Sequence, residues 1–573
     1  MSYSDAPRRH FSGRFFADPS TVNNDRRHYD PANTRPSPWQ EPNRRHWFRL
    51  EDCRVRSARD ASGLVPAADA VIGAPLASTD TPSPAKNVDL DVYQQAVSTI
   101  FGLELRLPLP GGAALVGRVH RPVLNGVRFN AALPTRGWRE DYGAGSYGGD
   151  ANAAGSFRTL TRCPVEPWTE TIGSDLLDQL RRRAAVRDGR VLLSLKFVLD
   201  GYDNVPRHAD ARYGRIVGTL GPAFANEPTA APGPRRLYPR ALPANADWFG
   251  PTFNDAPFKL DVDRRALVVD LANSLCRLTP GGDPVDLGEL RAVVDVGGER
   301  KVVGALDYSA FASDHDAQVA EMPVADADAQ LLAGHPLSLV VAREDLGPRE
   351  VLTEDADGFA FAVEDRVARV HVTQWGLPPA STVRVGVMVE AVHGDTPGAT
   401  VPPDDPSETP SAAGALVAAI GATEAHGFAE ITREVAKDLG VRTPELDGQL
   451  YFVVVHDPRR PPPDLRKSAP MQERRVSCLV RSDHRPLAAP RREDVRAIMA
   501  PYMKRYSYMH EAMDLADEFT FTLFSKNPPW SVGYTGRVAC TDTLRSGDRV
   551  NHPLGRRRAE LTAVVAAAPC PPT

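Results

Sequence analysis

No apolar run in these 573 residues approaches the roughly 20 that a membrane-crossing helix needs. The opening stretch, MSYSDAPRRHFSGRFF, lacks the apolar centre of a secretory signal. These two absences lead us to expect a cytoplasmic protein without a membrane partner. No C-x-x-C pair occurs. The six cysteines, at positions 53, 163, 276, 478, 540 and 570, are scattered, a spacing that supports neither a structural zinc site nor a disulfide framework. The lack of C-x-x-C-H excludes covalently attached c-type haem. Reduced and mostly buried thiols are the expectation.

Catalytic and phosphate-binding motifs are also missing. Without G-x-S-x-G there is no serine nucleophile elbow. No G-x-x-x-x-G-K-[ST] is found, and no G-x-G-x-x-G stands at a strand-to-helix junction, so the glycine-rich residues 141–157 read as a loop. Neither sign of charge dominates: a net charge of −5 does not call for a nucleic acid or a membrane surface. The pairs Arg8-Arg9, Arg26-Arg27 and Arg44-Arg45 are interleaved with Asp18, Asp25, Asp30 and Glu41, as on a solvated or ion-paired surface.

What the chain does have is length, proline and alternation. The length predicts two to four domains, and the 52 prolines gather in connectors. The organising stretch runs from Val191 to Pro222. Leu193, Leu195, Phe197 and Leu199 alternate with Ser194, Lys196 and Asp200, which predicts a strand buried on one face. A polar loop with Tyr202, Asp203, His208 and Asp210 leads to a second strand at 215–220. Further short strand-like runs follow at 258–262, 266–271, 292–296, 337–341, 359–363, 368–373 and 382–389, with almost no helical periodicity among them. Residues 450–456 form a continuous apolar run that suits a strand buried on both faces. Ser174–Arg187 reads as a helix, Ser174 being its N-cap and Leu176, Leu177 and Leu180 its apolar face. After Arg491, Val495, Ile498, Tyr502, Tyr506, Met509, Met513 and Ala516 recur at spacings of three and four, a helical face. The expected fold is mainly β: antiparallel sandwich-like or barrel-like domains with a short helical C-terminal segment. The expected divisions are 1–222, 223–395, 396–490 and 491–573.

Two kinds of residue could carry function. Asp200, Asp203, His208 and Asp210 share one loop, where they either serve as turn-forming groups or converge as a site. With His10 of the N-terminal arm, Asp203, His208 and Asp210 are the catalytic candidates. Asp314-His315-Asp316, His28, His46 and His510 have no spacing that fixes a ligand set. Tyr502, Tyr506, Met509 and Met513 form either core packing or a docking face for a partner.

Several blocks resemble the N-terminal half of the iminophenylpyruvate dimer synthases of violacein biosynthesis and the chromopyrrolate synthases of indolocarbazole biosynthesis. Pro7-Arg8-Arg9-His10-Phe11-Ser12-Gly13 with Asn23-Asn24-Asp25 is similar to that family's P-x-x-H-F-x-G opening and N-x-D turn. Gly214–Gly221 resembles its glycine-flanked strand, and Ala266–Asn273 its L-N-L-A segment. Tyr502, Tyr506, Met509, Leu515, Ala516 and Asp517 are similar to its Y…Y-P-x-M…L-A-D helix, with Ser507 where the family has proline. The blocks run in the same order over most of the chain. The family's ferritin-like domain would follow near where this chain stops. The resemblance therefore implies a β-rich scaffold subunit without a cofactor of its own, acting with a separate ferritin-like helical protein that holds any haem or iron. It transfers no catalytic residue. The competing expectations are a self-sufficient enzyme with a pocket between the N-terminal arm and the 200–210 loop, a pure assembly module, and a homo-oligomer.

Overall fold

The computed structural model describes residues 2–17, 48–78, 103–108, 114–119, 123–129, 153–165, 174–203, 208–225, 227, 235–239, 253–261, 263–275, 282–284, 287–309, 311, 317–343 and 347–354. It also describes the strand segments 359–364, 369–374, 382–391, 416–421, 429–434, 449–456 and 475–480. The described fold is mainly antiparallel β, with two α-helices among the described residues.

The first sheet holds eleven strands: β1 (Arg8–Ala17), β2 (Phe48–Asp60), β3 (Gly63–Leu64), β4 (Ala77–Ser78), β5 (Glu104–Pro108), β6 (Ala114–Val119), β7 (Val123–Phe129), β8 (Ala153–Pro164), β9 (Val186–Arg187), β10 (Arg190–Asp200) and β11 (Tyr213–Pro222). Its strand order is β3-β2-β1-β11-β10-β8-β6-β5-β4, with β7 also on β8 and β9 on β10. The N-terminal arm is thus not appended to the body. β1 lies between β11 and β2 in the middle of the sheet.

Register explains the composition of these strands. Phe11 pairs with Gly218 and Phe15 with Gly214. A Cβ at Gly218 would collide with the Phe11 ring and lie 2.8 Å from the Lys196 carbonyl oxygen. A Cβ at Gly214 would meet Phe15 and sit 3.0 Å from the Asp200 carbonyl oxygen. The glycines of β11 leave the space that the Phe11 and Phe15 rings of β1 occupy, where no side chain intervenes. Phe15 stacks in turn on Phe48 and Tyr202, at centroid distances of 5.5 and 6.0 Å.

The sheet curls around one apolar face. Phe48, Leu50 and Val55 of β2 share a core with Leu105, Leu107 and Leu115 of β5 and β6, near the other end of the strand order. The chain between the ends completes the curl: Val55 N–H donates to the Ala74 carbonyl at 2.9 Å, and Leu76 N–H to that of Cys53 at 2.8 Å. One helix, α1 (Asp175–Arg183), buries Leu176, Leu177 and Leu180 in the same core. Ser174 caps it, accepting from Leu177 N–H at 3.4 Å. α1 stops four residues before the expected Arg187 because Asp188 and Gly189, both at positive φ (51° and 66°), form a tight turn that draws Val186–Arg187 back as β9.

The second sheet contains β12 (Arg235–Pro239), β13 (Ala256–Asp261), β14 (Ala266–Asp270), β15 (Glu289–Val296), β16 (Glu299–Leu306), β17 (Val319–Pro323), β18 (Leu337–Arg343) and β19 (Gly347–Glu354). They are ordered β16-β15-β18-β19-β12-β13-β14-β17. The end strands approach each other where Gly304 of β16 faces the Met322 side chain of β17. The two sheets form a half-barrel and a nearly closed barrel. The barrel core includes Phe258, Leu267, Val269, Leu290, Val294, Leu339 and Val341.

A helix, α2 (Asp326–Gly334), lies in the region that the sequence reading found to have almost no helical periodicity. Its only buried side chain is Leu332, so it leaves no apolar periodicity to read. Its stability comes from its ends. Asp326 and Asp328 sit in the first turn, and the buried Arg235 donates to the Leu332 and His335 carbonyls at the last. Both placements suit the helix dipole.

The remaining strands are β20 (Phe359–Glu364), β21 (Arg369–Gln374), β22 (Thr382–Ala391), β23 (Leu416–Gly421), β24 (Ala429–Glu434), β25 (Gln449–His456) and β26 (Arg475–Val480). They make a three-stranded sheet, β20-β21-β24, and a four-stranded one, β23-β22-β25-β26. The apolar run at 450–456 is thus an inner strand, paired on both sides. The expected C-terminal helical segment, with Tyr502, Tyr506, Met509, Met513 and His510, lies outside the described residues. So do His28, His46 and Asp314-His315-Asp316.

Candidate functional site

The largest correction concerns the polar face of the first sheet. Alternation predicted a β10 open to solvent on the side of Ser194, Lys196 and Asp200. The structure buries β10 on both faces from Val191 to Asp200, because the second sheet covers the polar side. The covering contacts are mostly ionic. Lys196 Nζ donates to Asp270 Oδ1 at 2.7 Å, and the Tyr3 hydroxyl to Asp270 Oδ2 at 2.8 Å. Burial, and then the Asp270 carboxylate, hold the Tyr3 phenol well above its usual pKa. Asp5 pairs with Lys259, Arg158 with Glu227, and Arg236 with Asp255 at 3.0 Å. Val198 and Val217 add a small apolar contact with Ala272 and Ala317.

Glu321 of β17 gathers three cations: Arg8, Arg264 at 2.7 Å and Arg59 at 3.7 Å. Burial raises its pKa, but the three guanidinium groups outweigh burial and hold it below the usual carboxylate value. Asp255 goes the other way. Burial raises its pKa more than Arg236 lowers it. A buried pair of this kind adds little net stability but makes the loss of one partner costly, about 3–5 kcal/mol.

His10 belongs to this seam. Its ring is buried, Nδ1 lies 3.0 Å from Thr219 Oγ1, and Arg8 Nε donates to Nε2 at 3.3 Å. Arg8 can only donate, so Nε2 accepts and Nδ1 carries the proton given to Thr219. The residue holds two strands in register.

The 200–210 loop is a separate place. Phe16 pairs with Tyr213 beside it, six residues along β1 from His10, a span of about 20 Å. Asp203 and His208 do come together: His208 Nδ1 is 2.9 Å from Asp203 Oδ2, and the imidazole keeps 26% of its surface exposed. Asp210 pairs instead with Arg14 at 2.7 Å on the open surface, where such contacts contribute little. Asp200 binds Arg215 at 2.9 Å. Tyr202 is not displayed by the loop. It is buried, with its hydroxyl donating to the Ala17 carbonyl at 2.9 Å. Among the described residues no group of three or more His, Cys, Asp or Glu side chains is placed to hold a metal ion.

The concave face holds one group that sequence reasoning placed on the surface. Arg9, Phe11, Gly13 and Phe15 point to the same side of β1, since their pairing with β11 is unbroken. Arg9 is 2% exposed, and none of its three guanidinium nitrogens has a hydrogen-bond partner. Burial lowers its pKa to about 10, still well above neutrality. Nearby Cys163 is pushed by burial up to about 12, as is Cys53 elsewhere in the same core. Both thiols are free and buried, in keeping with the sequence expectation. Thr161, also on this face two residues before Cys163, is buried with its hydroxyl unpartnered. The period-two pattern Arg9-Phe11-Gly13-Phe15 was the available signal. It puts Arg9 among the aromatics and apart from Arg8.

No protein-family model matches the chain, and no curated protein is detectably similar to it.

Proposed function

We propose that this chain is a cytoplasmic β-scaffold subunit of an oxidative enzyme system in secondary metabolism, working with a separate ferritin-like helical protein that carries the redox chemistry. The observation that best supports this reading is the seam. Most of the ionisable side chains on the first sheet's polar face join two β bodies into one platform, His10 holds two strands of that sheet in register, and all are closed off from substrate. The resemblance of several collinear blocks to the imine dimer synthases suggests the kind of partner. In this reading Tyr502, Tyr506, Met509 and Met513 form the docking face, and any haem or iron belongs to the partner.

A second reading has one observation in its favour. Asp203 and His208 form a partly exposed carboxylate–imidazole pair, an arrangement that can orient a proton-transferring group. In that reading the chain is an enzyme by itself.

The deciding experiment is affinity capture of the tagged full chain from its native extract, with the co-eluting proteins identified by mass and their iron and haem measured. The scaffold reading expects a stoichiometric helical, metal-bearing partner that is lost in Tyr506→Glu/Met509→Glu while the β fold persists. A homo-oligomer without a partner would overturn it and turn attention to His208→Ala.

A further inference from the structure

A guanidinium that is fully buried and bonded to nothing is rare, because a charge removed from water is normally paired. Arg9 is such a group. Its neighbour Cys163 cannot neutralise it. With its pKa pushed up to about 12 the thiol stays protonated at neutral pH, while Arg9, at about 10, stays charged. The positive charge on the concave face is therefore uncompensated among the described residues.

The surroundings define what would compensate it. Across the four central strands Arg9 shares a row with Leu220, Leu195 and Thr159. The next row towards Cys163 brings Leu193 and Thr161. Thr159 is satisfied by a backbone carbonyl, but the Thr161 hydroxyl is unpartnered and buried like Arg9. One fixed cation, one spare hydroxyl and leucine walls together suit a single negative charge on a group with an apolar side. A carboxylate can accept two parallel hydrogen bonds from a guanidinium fork and one more from a hydroxyl. A phosphate dianion would leave a net negative charge in an apolar enclosure.

We propose that the concave face of the first sheet binds one small monocarboxylate, its anionic head on Arg9 and Thr161 and its apolar side against Leu193 and Leu195. This site is independent of the seam and of the scaffold reading, since a platform and an enzyme could each hold such a ligand.

Calorimetric titration of the purified full chain with sodium acetate, sodium benzoate, the neutral isostere benzamide and inorganic phosphate tests it. Expected is saturable binding of benzoate at one per chain, none of benzamide, and at least a tenfold loss of benzoate affinity in Arg9→Met. Unliganded Arg9→Met should unfold at the same temperature as the parent or higher, since it removes an unpaired buried charge. Should Arg9→Met not fold, the near-isosteric Thr161→Val takes its place, with a several-fold loss expected. The proposal is overturned if neither acetate nor benzoate binds, if benzamide binds as well as benzoate, if the variants bind undiminished, or if phosphate binds tighter than benzoate. A strong loss of stability in Arg9→Met without carboxylate binding would likewise overturn it, by showing that the chain itself supplies the counter-charge.

Discussion

Lys196 Nζ donates to Asp270 Oδ1 at 2.7 Å across 74 residues of sequence, and through that contact the polar face of one sheet becomes an interior surface. Asp270 also accepts from the Tyr3 hydroxyl and, at 3.2 Å, from the Ala272 N–H. One carboxylate thus ties the N-terminal turn, β10 and the end of β14 together.

Removing one member of this pair strands the other in a dry site. Lys196→Met is expected to lower stability by about 3–5 kcal/mol. The double variant Lys196→Met/Asp270→Asn should recover most of that loss, because asparagine leaves no charge: its Oδ1 still accepts from the Ala272 N–H, and its Nδ2 donates to the Tyr3 hydroxyl. Urea denaturation of the single and double variants measures the coupling. Additive losses would mean that the two residues do not form the buried pair.

Acid sensitivity should report on Glu321. Its folded-state pKa is depressed by Arg8, Arg59 and Arg264 against the effect of burial, so the unfolded chain takes up the proton first. Its contribution is fully present above the ordinary glutamate value of about 4.3 and is lost as the pH falls through the lower folded value. Asp255, whose pKa is raised by burial, contributes in the opposite sense over its own range. Comparing urea midpoints of the parent and Glu321→Gln between pH 7 and pH 3 should show the variant less stable by about 3–5 kcal/mol at pH 7, with a flatter acid limb. An unchanged acid limb would rule out Glu321 as its source.

The contact between Gly218 and Phe11 gives a test of packing. Gly218→Ala places a methyl against the Phe11 ring and the Lys196 carbonyl oxygen and is expected to destabilise by about 1–3 kcal/mol. Phe11→Leu in the same chain should return part of that loss, since the ring is one of the two obstructions. Thermal unfolding of the parent and the two variants decides it, and a neutral Gly218→Ala would show that β1 and β11 are not in this register.

Much of this architecture was written in local pattern. The alternation of Leu193, Leu195, Phe197 and Leu199 with Ser194, Lys196 and Asp200 gave β10 and its two faces, and the β-rich class followed from many such runs. Ser174 and the three leucines of α1 announced a helix, and Asp188-Gly189 marks where it had to end. The helix α2 escaped because its support is a distant arginine and not an apolar stripe. The candidate site was legible only in part. Asp203 and His208 do meet, but His10 and Asp210 are drawn off by Thr219, Arg8 and Arg14, partners that sequence order does not disclose.

By itself the sequence determined that the chain is mainly β and, where runs such as 193–199 alternate, which residues form a strand and which two faces they present, because those follow from side-chain period and backbone preference over a few residues. Only the tertiary structure decided what each face meets. A row of Ser, Lys and Asp reads as solvent-facing until a second sheet brings Asp270 against it. Adjacent arginines read as one surface patch until a strand sends Arg8 to a carboxylate and Arg9 into the core. The physical reason is that pairing and desolvation are set by groups dozens to hundreds of residues away, and charge burial is stable only when those groups arrive together.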